Sequence, residues 1–397
     1  MPPLTILCLA TYLKGEDFIR ECRRRGCRVL LLTVDKLADA DWPRDSIDRM
    51  LIVPRDATEQ QVLRTVERAA RSERIDRIAA LDDFDVETGA MLREALRVPG
   101  MGATTARYFR DKLAMRLRAQ CAGIRVPEFV HVLNHEAIAA WARRVPPPWM
   151  MKPRSSAAAI GIRRIESEAQ LWDAVRQAGD DQAKYLLEAF VPGEVYHVDS
   201  IVVGRKVLFA AAHRYGRPPF EIAHQGGIFV SRRLPSDSPE VSALLELNAR
   251  LLDAFRLERG VSHTEFIRAA NGQWVFLETS ARVGGAYIAD MIEAATGLNL
   301  WREWAAVEIA GEDGTYTVPP HRNDYAGIVL TLARQEDPDT SGYTDPEIVF
   351  RVRKPRHAGL IVASPDPARV EELITGYTAR FYQDFYATAP APERPTD

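Results

Sequence analysis

The sequence predicts a mixed α/β protein, α+β in its later parts, that begins with a small parallel sheet. Three short apolar runs, Leu4–Leu9, Val29–Val34 and Ile75–Leu81, are separated by polar stretches of helical periodicity at Asp17–Arg25 and Glu59–Arg71. Strand–helix–strand alternation of this length favours parallel strands covered by helices. Because no G-x-G-x-x-G follows the first run, we do not expect this Rossmann-like lobe to hold a dinucleotide.

The middle of the chain alternates between predicted strands and helices. Helical periodicity predicts helices at Thr104–Ala122, closed by Gly123, and at Leu244–Phe255. Between them, apolar runs predict four strands: Met150–Pro153, Tyr185–Val191, Val195–Val203 and Val207–His213. The stretch Pro218–Pro235 has little periodicity, so we expect a long loop there, of the kind that serves as a lid or a binding loop.

The last part of the chain is β-rich. Strands are predicted at Ile328–Leu332, Ile348–Val352 and Leu360–Ala363, followed by a helix near Pro367–Leu373. These elements suggest an N-terminal lobe (1–103), a central domain (104–310) with a small lobe at about 125–190, and a β-rich C-terminal subdomain (311–386). The Pro- and Ala-rich tail, residues 387–397, is expected to be disordered.

Composition and charge narrow the class of protein. The formal net charge of −3 shows no large basic field, which argues against nucleic acid and anionic membranes as partners. No run of about 18 apolar residues predicts a membrane span, and the N-terminus lacks the basic region of a signal peptide. The four cysteines form no C-x-x-C pair, as expected of free thiols in a reducing cytoplasm. We therefore expect a cytoplasmic enzyme, with a homodimer as one option for its assembly.

The strongest local signal is an Asn271-Gly272 turn between two apolar-rich runs, a typical hairpin sequence. If these two residues form the loop, Glu265 lies directly opposite Glu278, with their Cβ atoms about 5 Å apart. Two facing carboxylates repel unless a cation lies between them, and Mg²⁺ prefers such oxygen ligands. The alternative is a solvent-facing strand pair with two incidental acids, and a loop one residue longer would place the acids on opposite faces.

Two lysines offer positive charge for a polyphosphate. Lys152 lies in an apolar strand followed by small residues, where burial without an anion is costly. Taken alone, Lys152 is as compatible with a strand edge as with a phosphate site, whereas Lys112, in a predicted helix, is more typical of a solvated helix lysine. The strand Tyr185–Val191 ends at a turn and offers a backbone edge to an adenine, although a plain core strand has the same sequence pattern.

Taken together, these motifs resemble the ATP-grasp superfamily in order from about Leu4 to Leu300. The N-terminal lobe resembles the domain that precedes the ATP-grasp fold. The resemblance implies that Lys112 and Lys152 bind ATP phosphates, and that Glu188, Val191 and Glu194 contact the nucleoside. It further implies that the metal ion, Mg²⁺ or Mn²⁺, is bound by Glu265, Glu278 and Ser280. The acyl substrate is expected to contact Arg282, Gly284 and Gly285.

Within the superfamily, the sequence is most similar to the L-amino-acid ligase and carnosine synthase branch, which has a similar E-x-x-x-R-x-G-G motif. Three positions depart from the family pattern. Ser280 replaces the usual asparagine ligand, Ala157–Ala159 replaces glycines in the phosphate loop, and Glu194 precedes the position of the ribose-binding glutamate, which Val195 occupies. These departures imply a looser metal site and a stiffer phosphate loop.

The resemblance implies an ATP-dependent ligase that joins a small carboxylate and an amine through an acyl phosphate, with Arg282 and Lys152 as catalytic residues. Two alternatives remain open. One is an ATP-grasp enzyme of another substrate class, such as a purine-pathway, carbamoyl-type or biotin-carboxylase-like enzyme, and the other is a non-catalytic ATP-binding protein. His224, His213 and Arg214 are further candidates for substrate contact or for plain surface roles.

Overall fold

A computed structural model describes residues 3–157, 159–313 and 316–388. The N-terminal lobe contains a four-stranded parallel sheet in the order β3-β2-β1-β4. Its strands are β1 (Thr5–Leu9), β2 (Arg28–Val34), β3 (Arg49–Val53) and β4 (Arg77–Ala80). The helices α1 (Glu16–Arg24), α2 (Glu59–Ala70) and α3 (Val86–Leu96) connect or follow them. The predicted alternation is confirmed.

The edge strand β3 was missed in the sequence. Its sequence contains the continuous apolar run Met50–Val53, so a strand signal was present; as an edge strand, β3 alternates between exposed and buried positions, with Ile52 half exposed. By contrast, α2 begins where the sequence indicates, because Thr58 and Gln61 form a reciprocal capping box.

The single helix predicted over Thr104–Ala122 is wrong. The structure has α4 (Ala103–Arg107) and α5 (Lys112–Cys121), separated by a break at Asp111. The Asp111 side chain accepts hydrogen bonds from the backbone N–H groups of Leu113 and Ala114, so it caps a new helix. Lys112 is therefore the first residue of α5 rather than a mid-helix lysine.

A second, antiparallel sheet forms a small lobe within the predicted range of 125–190. Its order is β5-β8-β6-β7. The strands and their covering helices are β5 (Phe129–His131), α6 (His135–Arg144), β6 (Trp149–Pro153), β7 (Arg163–Ile165), α7 (Glu168–Ala178) and β8 (Tyr185–Ala189). Trp141, Trp149 and Leu171 fill the core between the sheet and its helices.

The third sheet is the largest, with eight antiparallel strands in the order β13-β12-β9-β10-β11-β14-β16-β15. The strands are β9 (Gly193–Val203), β10 (Lys206–Tyr215), β11 (Phe229–Arg233), β12 (Arg259–Ala269), β13 (Trp274–Ser280), β14 (Tyr325–Leu332), β15 (Ile348–Arg351) and β16 (His357–Ser364). The accompanying helices are α8 (Pro219–Gln225), α9 (Pro239–Ala254), α10 (Ile288–Thr296), α11 (Leu300–Ala310) and α12 (Pro367–Asp384).

The large sheet corrects three predictions. Pro218–Pro235 is not a loop, because it contains α8 and β11, and β11 pairs with both β10 and β14. The strands β14, β15 and β16 of the expected β-rich C-terminal subdomain belong to this same sheet rather than to a body of their own. The last helix runs to Asp384, well beyond Leu373, and most of the predicted tail, residues 389–397, lies outside the described residues.

The N-terminal lobe and the large sheet share one hydrophobic core. Leu7 and Phe18 belong to the same buried cluster as Val261, Ile292 and Trp304. The Phe18 and Trp304 rings meet edge to face, with their centroids 5.1 Å apart. Across the described ranges, no helix has the length and apolarity needed to span a membrane.

Candidate active site

A cleft of about 660 Å³ lies where the three sheets meet. The N-terminal lobe, the small sheet and the large sheet all contribute side chains to its walls, and α8 covers one side. Among the residues expected from the sequence, nine line this cleft: Lys112, Lys152, Glu188, Val191, Glu265, Glu278, Ser280, Arg282 and Gly285. Residues distant in the chain thus meet around one space large enough for a nucleotide.

The β12–β13 hairpin places Glu265 opposite Glu278, as predicted, and also places His263 opposite Ser280. The route to this register differs from the prediction. The Ala269 N–H bonds the Gln273 carbonyl, so the loop contains three residues, not two, and Gly272 has φ 76° at its end. A bulge then shifts the pairing by one residue, since Phe266 pairs with Phe276. The extra loop residue and the bulge each shift the register by one residue in opposite directions, so Glu265 still lies opposite Glu278.

The two facing carboxylates have different partners. The Tyr215 hydroxyl donates to Glu265 Oε1 at 2.8 Å, while Lys112 Nζ lies 3.1 Å from Glu278 Oε2. Burial opposes ionisation of Glu278, but Lys112 and Lys152 hold its pKa below the ordinary value. Glu265 and Glu278 both line the cleft and carry the oxygen ligands that Mg²⁺ prefers, so the pair fits this ion, and Ser280 lines the same cleft.

Lys152 belongs to a buried charge cluster. Its Nζ lies 2.7 Å from Glu188 Oε2, and Arg116 Nε lies 2.6 Å from Glu188 Oε1. Although burial opposes the charged form, Arg116 and Lys152 lower the pKa of Glu188 to about 2. The Glu188 carboxylate thus faces two cations in this structure, and Val191 at the end of the same segment lines the cleft.

Lys112 connects the cleft to the segment that follows Lys152. Its Nζ donates to the Ser156 carbonyl at 2.7 Å, and its backbone N–H bonds the Arg154 carbonyl. In the predicted phosphate loop, Ala157 and Ala159 line the cleft, whereas Ala158 lies outside the described residues. Ala159 has φ 58°, a left-handed conformation that favours glycine.

Arg282 bonds an acid from the N-terminal lobe. Its Nε and Nη2 donate to Asp83 Oδ2 at 2.9 and 2.6 Å, and its Nη1 donates to the Val283 carbonyl. Burial favours the protonated acid, but Arg282 and Arg110 lower the pKa of Asp83 to about 2. Through this ion pair, the N-terminal lobe contributes a charged side chain to the cleft.

His263 lies beside the carboxylates with a second buried acid behind it. Its Nδ1 is 2.9 Å from Asp199 Oδ1, and its Nε2 is 3.3 Å from the Tyr215 hydroxyl. Burial opposes the charge, but Asp199 raises the pKa of His263 to about 9. The pKa of Tyr215 is raised well above its usual value by burial and by Glu265, so this phenol stays a neutral donor.

Several predicted residues do not reach the cleft. Glu194 is exposed, and its carboxylate accepts from Tyr196 and Arg214 on the other side of the sheet, whereas its neighbours Gly193 and Val195 line the cleft. Gly284 is buried rather than part of the lining. His224 is exposed and bonds the Phe220 carbonyl. His213 is fully buried.

The lining residues missed in the sequence include Asp83, Tyr215, Glu221 and His263. One signal was available for Asp83, because Asp82-Asp83 directly follows a buried strand, and carboxyl ends of parallel strands carry ligand sites. His263 was also within reach, since it shares a strand face with Glu265. Glu221 lies on α8, inside the stretch predicted as a loop.

The three sheets and the cleft among them have the architecture of the ATP-grasp fold. This chain is related to ligases of that fold, and L-amino acid ligases are among its relatives. No family model matches the chain. It is 27% identical over 252 residues to the L-arginine-specific L-amino acid ligase of Bacillus subtilis, covering 62% of this chain and 60% of that protein.

A D-alanine–D-alanine ligase of Chlorobium luteolum is 29% identical over 217 residues, covering 49% of this chain and 57% of that protein. The alignments with both curated relatives thus span less than two thirds of the relatives' length. Among solved structures, an L-amino acid ligase from Bacillus licheniformis superposes with a TM-score of 0.73 at 17% identity, covering 97% of this chain and 99% of that one. N5-carboxyaminoimidazole synthetase from Staphylococcus aureus in complex with ADP superposes with a TM-score of 0.72 at 15% identity, covering 95% of this chain and 97% of that one.

Proposed function

We propose that the protein is an ATP-dependent carboxylate–amine ligase that forms an amide or peptide bond between small molecules, and that at least one substrate is an amino acid. One observation supports this most directly. Two lysines, two facing glutamates and an arginine, from separate parts of the chain, surround one cleft. The names of the relatives, ligases that act on amino acids, support the substrate class.

In the proposed reaction, ATP phosphorylates the substrate carboxylate, the amine displaces phosphate from the acyl phosphate, and ADP and phosphate are released. Lys112 and Lys152 bind the ATP phosphates and draw charge from the transferred group. Glu265 and Glu278, with Ser280, would hold Mg²⁺, which neutralises phosphate charge when bound. Arg282 orients the substrate carboxylate, because its guanidinium has more N–H groups than its present bonds use.

An acyl phosphate must be kept from water, and α8 is placed for this task. Phe220 and Ile222 from this short helix line the cleft beside Glu221. An apolar cover over the reacting groups excludes water and strengthens the electrostatic interactions beneath it. The lid expected over Pro218–Pro235 therefore becomes, in this proposal, a helical cover followed by a strand of the large sheet.

The reaction is proposed to occur in the cytoplasm without nucleic acid or membrane. All four cysteines are free, and Cys8, Cys22 and Cys27 are buried, as suits a reducing compartment. The expected homodimer stays a prediction, to be checked by light scattering.

The test is a screen for ADP release with pairs of carboxylates and amines, amino acids first, with bicarbonate and phosphoribosyl amines as the comparison set. ADP release that requires both an amino acid and an amine supports the proposal. Turnover only with bicarbonate or a phosphoribosyl amine supports the other ATP-grasp substrate classes. ATP binding without ADP release on any pair supports a non-catalytic nucleotide-binding protein.

Analysis of the spent nucleotide tests the acyl-phosphate route. We expect ADP and phosphate in amounts equal to the product, because the lysines and glutamates surround the site proposed for the terminal phosphates. Chromatography of the reaction mixture decides the point. An AMP peak that grows in proportion to product contradicts the proposal.

A further inference from the structure

We propose that Asp199, His263 and Tyr215 form a positioning network that holds the Glu265 carboxylate in place and thereby sets the affinity of the cleft for its divalent cation. The inference rests on the proposed function, since it takes Glu265 as a metal ligand. None of the three residues needs to touch the cation. Their effect acts through Glu265, as partners behind a ligand commonly do.

The Tyr215 hydroxyl forms the direct link to Glu265. It donates to Glu265 Oε1 at 2.8 Å from β10, while Glu265 lies on β12, and β9 separates the two strands. Both side chains are buried, so water does not replace this bond readily. One carboxylate oxygen is thus fixed by the protein, and Oε2 remains for a ligand.

His263 supports the same oxygen from a second direction. Its Nε2 lies 3.6 Å from Glu265 Oε1 and 3.3 Å from the Tyr215 hydroxyl. Its Nδ1 lies 2.9 Å from Asp199 Oδ1, which fixes the ring orientation. In the series Asp199–His263–Glu265, Asp199 is therefore held in the core, and Glu265 faces the cleft.

The Asp199 carboxylate is itself held by further buried side chains. His197 Nδ1 lies 2.7 Å from Asp199 Oδ2, and His197 Nε2 lies 2.7 Å from the Ser231 hydroxyl. Asp199, His197 and Ser231 are completely buried. Such a carboxylate cannot rotate to new partners at low cost, so the position of His263 is defined by the core.

Gly284 leaves the space that this arrangement needs. A Cβ at that position would lie 3.0 Å from both Asp199 Oδ1 and His263 Nδ1, close against the hydrogen bond that joins them. Gly284, expected from the sequence to bind substrate, therefore has a different role in this proposal, since it lets the backbone after Arg282 pass over the network.

The same cluster offers three possible metal ligands, His197, Asp199 and His213, within 4.8 Å of one another. The geometry favours the positioning role instead. Both ring nitrogens of His197 already have partners, and its ring is stacked on His213 with an interplanar angle of 13°. Parallel stacked rings direct their nitrogen lone pairs side by side rather than towards one ion. The cluster serves as the support of the network.

The experiment measures Mn²⁺ binding to the full chain by electron paramagnetic resonance in the presence of a non-hydrolysable ATP analogue. Tyr215→Phe removes only the hydroxyl that bonds Glu265, and His263→Asn keeps a donor near Asp199 but does not reach Glu265. Each is expected to weaken Mn²⁺ binding about 10-fold, within the 10- to 100-fold range typical of residues behind a metal ligand. Metal-free binding of the analogue should change less than about twofold.

A matched control is available in Tyr316→Phe, because the Tyr316 hydroxyl donates to Glu303 Oε2 at 2.8 Å away from the cleft. Wild-type Mn²⁺ affinity in Tyr316→Phe, with weakened affinity in the two network variants and intact circular dichroism in all three, supports the proposal. Unchanged Mn²⁺ affinity in Tyr215→Phe and His263→Asn overturns it. Since binding is measured without turnover, failure of the ligase activity in the substrate screen is a separate result.

Discussion

Asp83 and Arg282, 199 residues apart in the chain, form a buried ion pair across the boundary between the N-terminal lobe and the large sheet. The Asp83 carboxylate accepts from both Nε and Nη2 of Arg282, which fixes the plane of the guanidinium at the cleft. A fixed guanidinium presents its remaining N–H groups in a defined direction. The N-terminal lobe thus orients the residue proposed to hold the substrate.

Arg282→Lys should abolish acid-dependent turnover while leaving ATP binding nearly unchanged. A lysine keeps the positive charge but lacks the fork that holds a carboxylate through two parallel bonds. Loss of an interaction with developing charge typically costs about 10²–10³-fold in turnover. ADP release at saturating ATP, with acid varied, measures the loss. The assignment fails if this variant loses ATP affinity or keeps wild-type turnover at low acid concentration.

Asp83→Asn should raise the KM for the acid substrate about 10-fold while leaving the KM for ATP within about twofold. The substitution keeps an acceptor oxygen but removes the charge that fixes Arg282, and a small misplacement of a positioning group has effects of this size or larger. Steady-state kinetics with each substrate varied separates the two constants. Asp39→Asn, an exposed position outside the cleft, serves as the control. Equal effects on both KM values would argue against a role through Arg282.

Nucleotide turnover should require Mg²⁺ or Mn²⁺, and Glu278→Gln should abolish it with the fold intact. Glu278 faces Glu265 and also pairs with Lys112, so the amide removes a metal ligand and the charge that balances this lysine. Circular dichroism checks the fold and ADP release measures turnover. Glu371→Gln, which pairs with Arg232 outside the cleft, is the matched control. Full activity in EDTA or in the Glu278 variant contradicts the metal assignment.

Glu188→Gln should lower the stability of the protein more than any exposed Glu→Gln change in the small lobe. The amide leaves Arg116 and Lys152, both buried, without their shared carboxylate. Removing one partner of a buried ion pair typically costs about 3–5 kcal/mol. Urea denaturation measures the difference against Glu166→Gln, whose exposed partner is Arg164. Equal urea midpoints for the two variants would show that the ion pairs of Glu188 with Arg116 and Lys152 do not contribute to stability.

Asp85→Asn should stabilise the protein at pH 8 more than at pH 5. Burial raises the pKa of Asp85 to about 7, compared with 3.8 for an unperturbed carboxyl, so the folded protein binds this proton more tightly than the unfolded chain. The unfolding free energy of the wild type therefore falls as the pH rises from about 4 to 7. Asparagine stays neutral and still accepts from the Thr11 N–H, so it removes this loss.

The expected gain at pH 8 relative to pH 5 is about 1–3 kcal/mol, since one pKa unit corresponds to about 1.4 kcal/mol. Urea denaturation at both pH values measures it. Asp56→Asn at an exposed position should show no such difference. Parallel pH profiles for Asp85→Asn and the wild type would exclude a raised pKa at Asp85.

The β12–β13 hairpin shows which features of this site local sequence determines and which depend on the rest of the fold. The Asn271-Gly272 turn and the spacing of the two acids are local features, and they predicted Glu265 opposite Glu278. The loop is one residue longer than the dipeptide implies, and only the bulge after Glu265 restores the register. Part of that bulge depends on a distant segment, because the Phe276 N–H bonds the Arg125 carbonyl. The correct register was thus reached through two compensating departures.

The sequence by itself determined the alternation of the N-terminal lobe, the hairpin, and the residue types of the cleft, because periodicity, turn chemistry and charge are properties of short segments. Only the tertiary structure decided which charges meet. Asp83 with Arg282, Glu188 with Arg116 and Lys152, and β11 between β10 and β14 all join segments that are far apart in the chain. Their pairing depends on how the three sheets pack, and no local pattern encodes the desolvation and contact energies that select one packing over another.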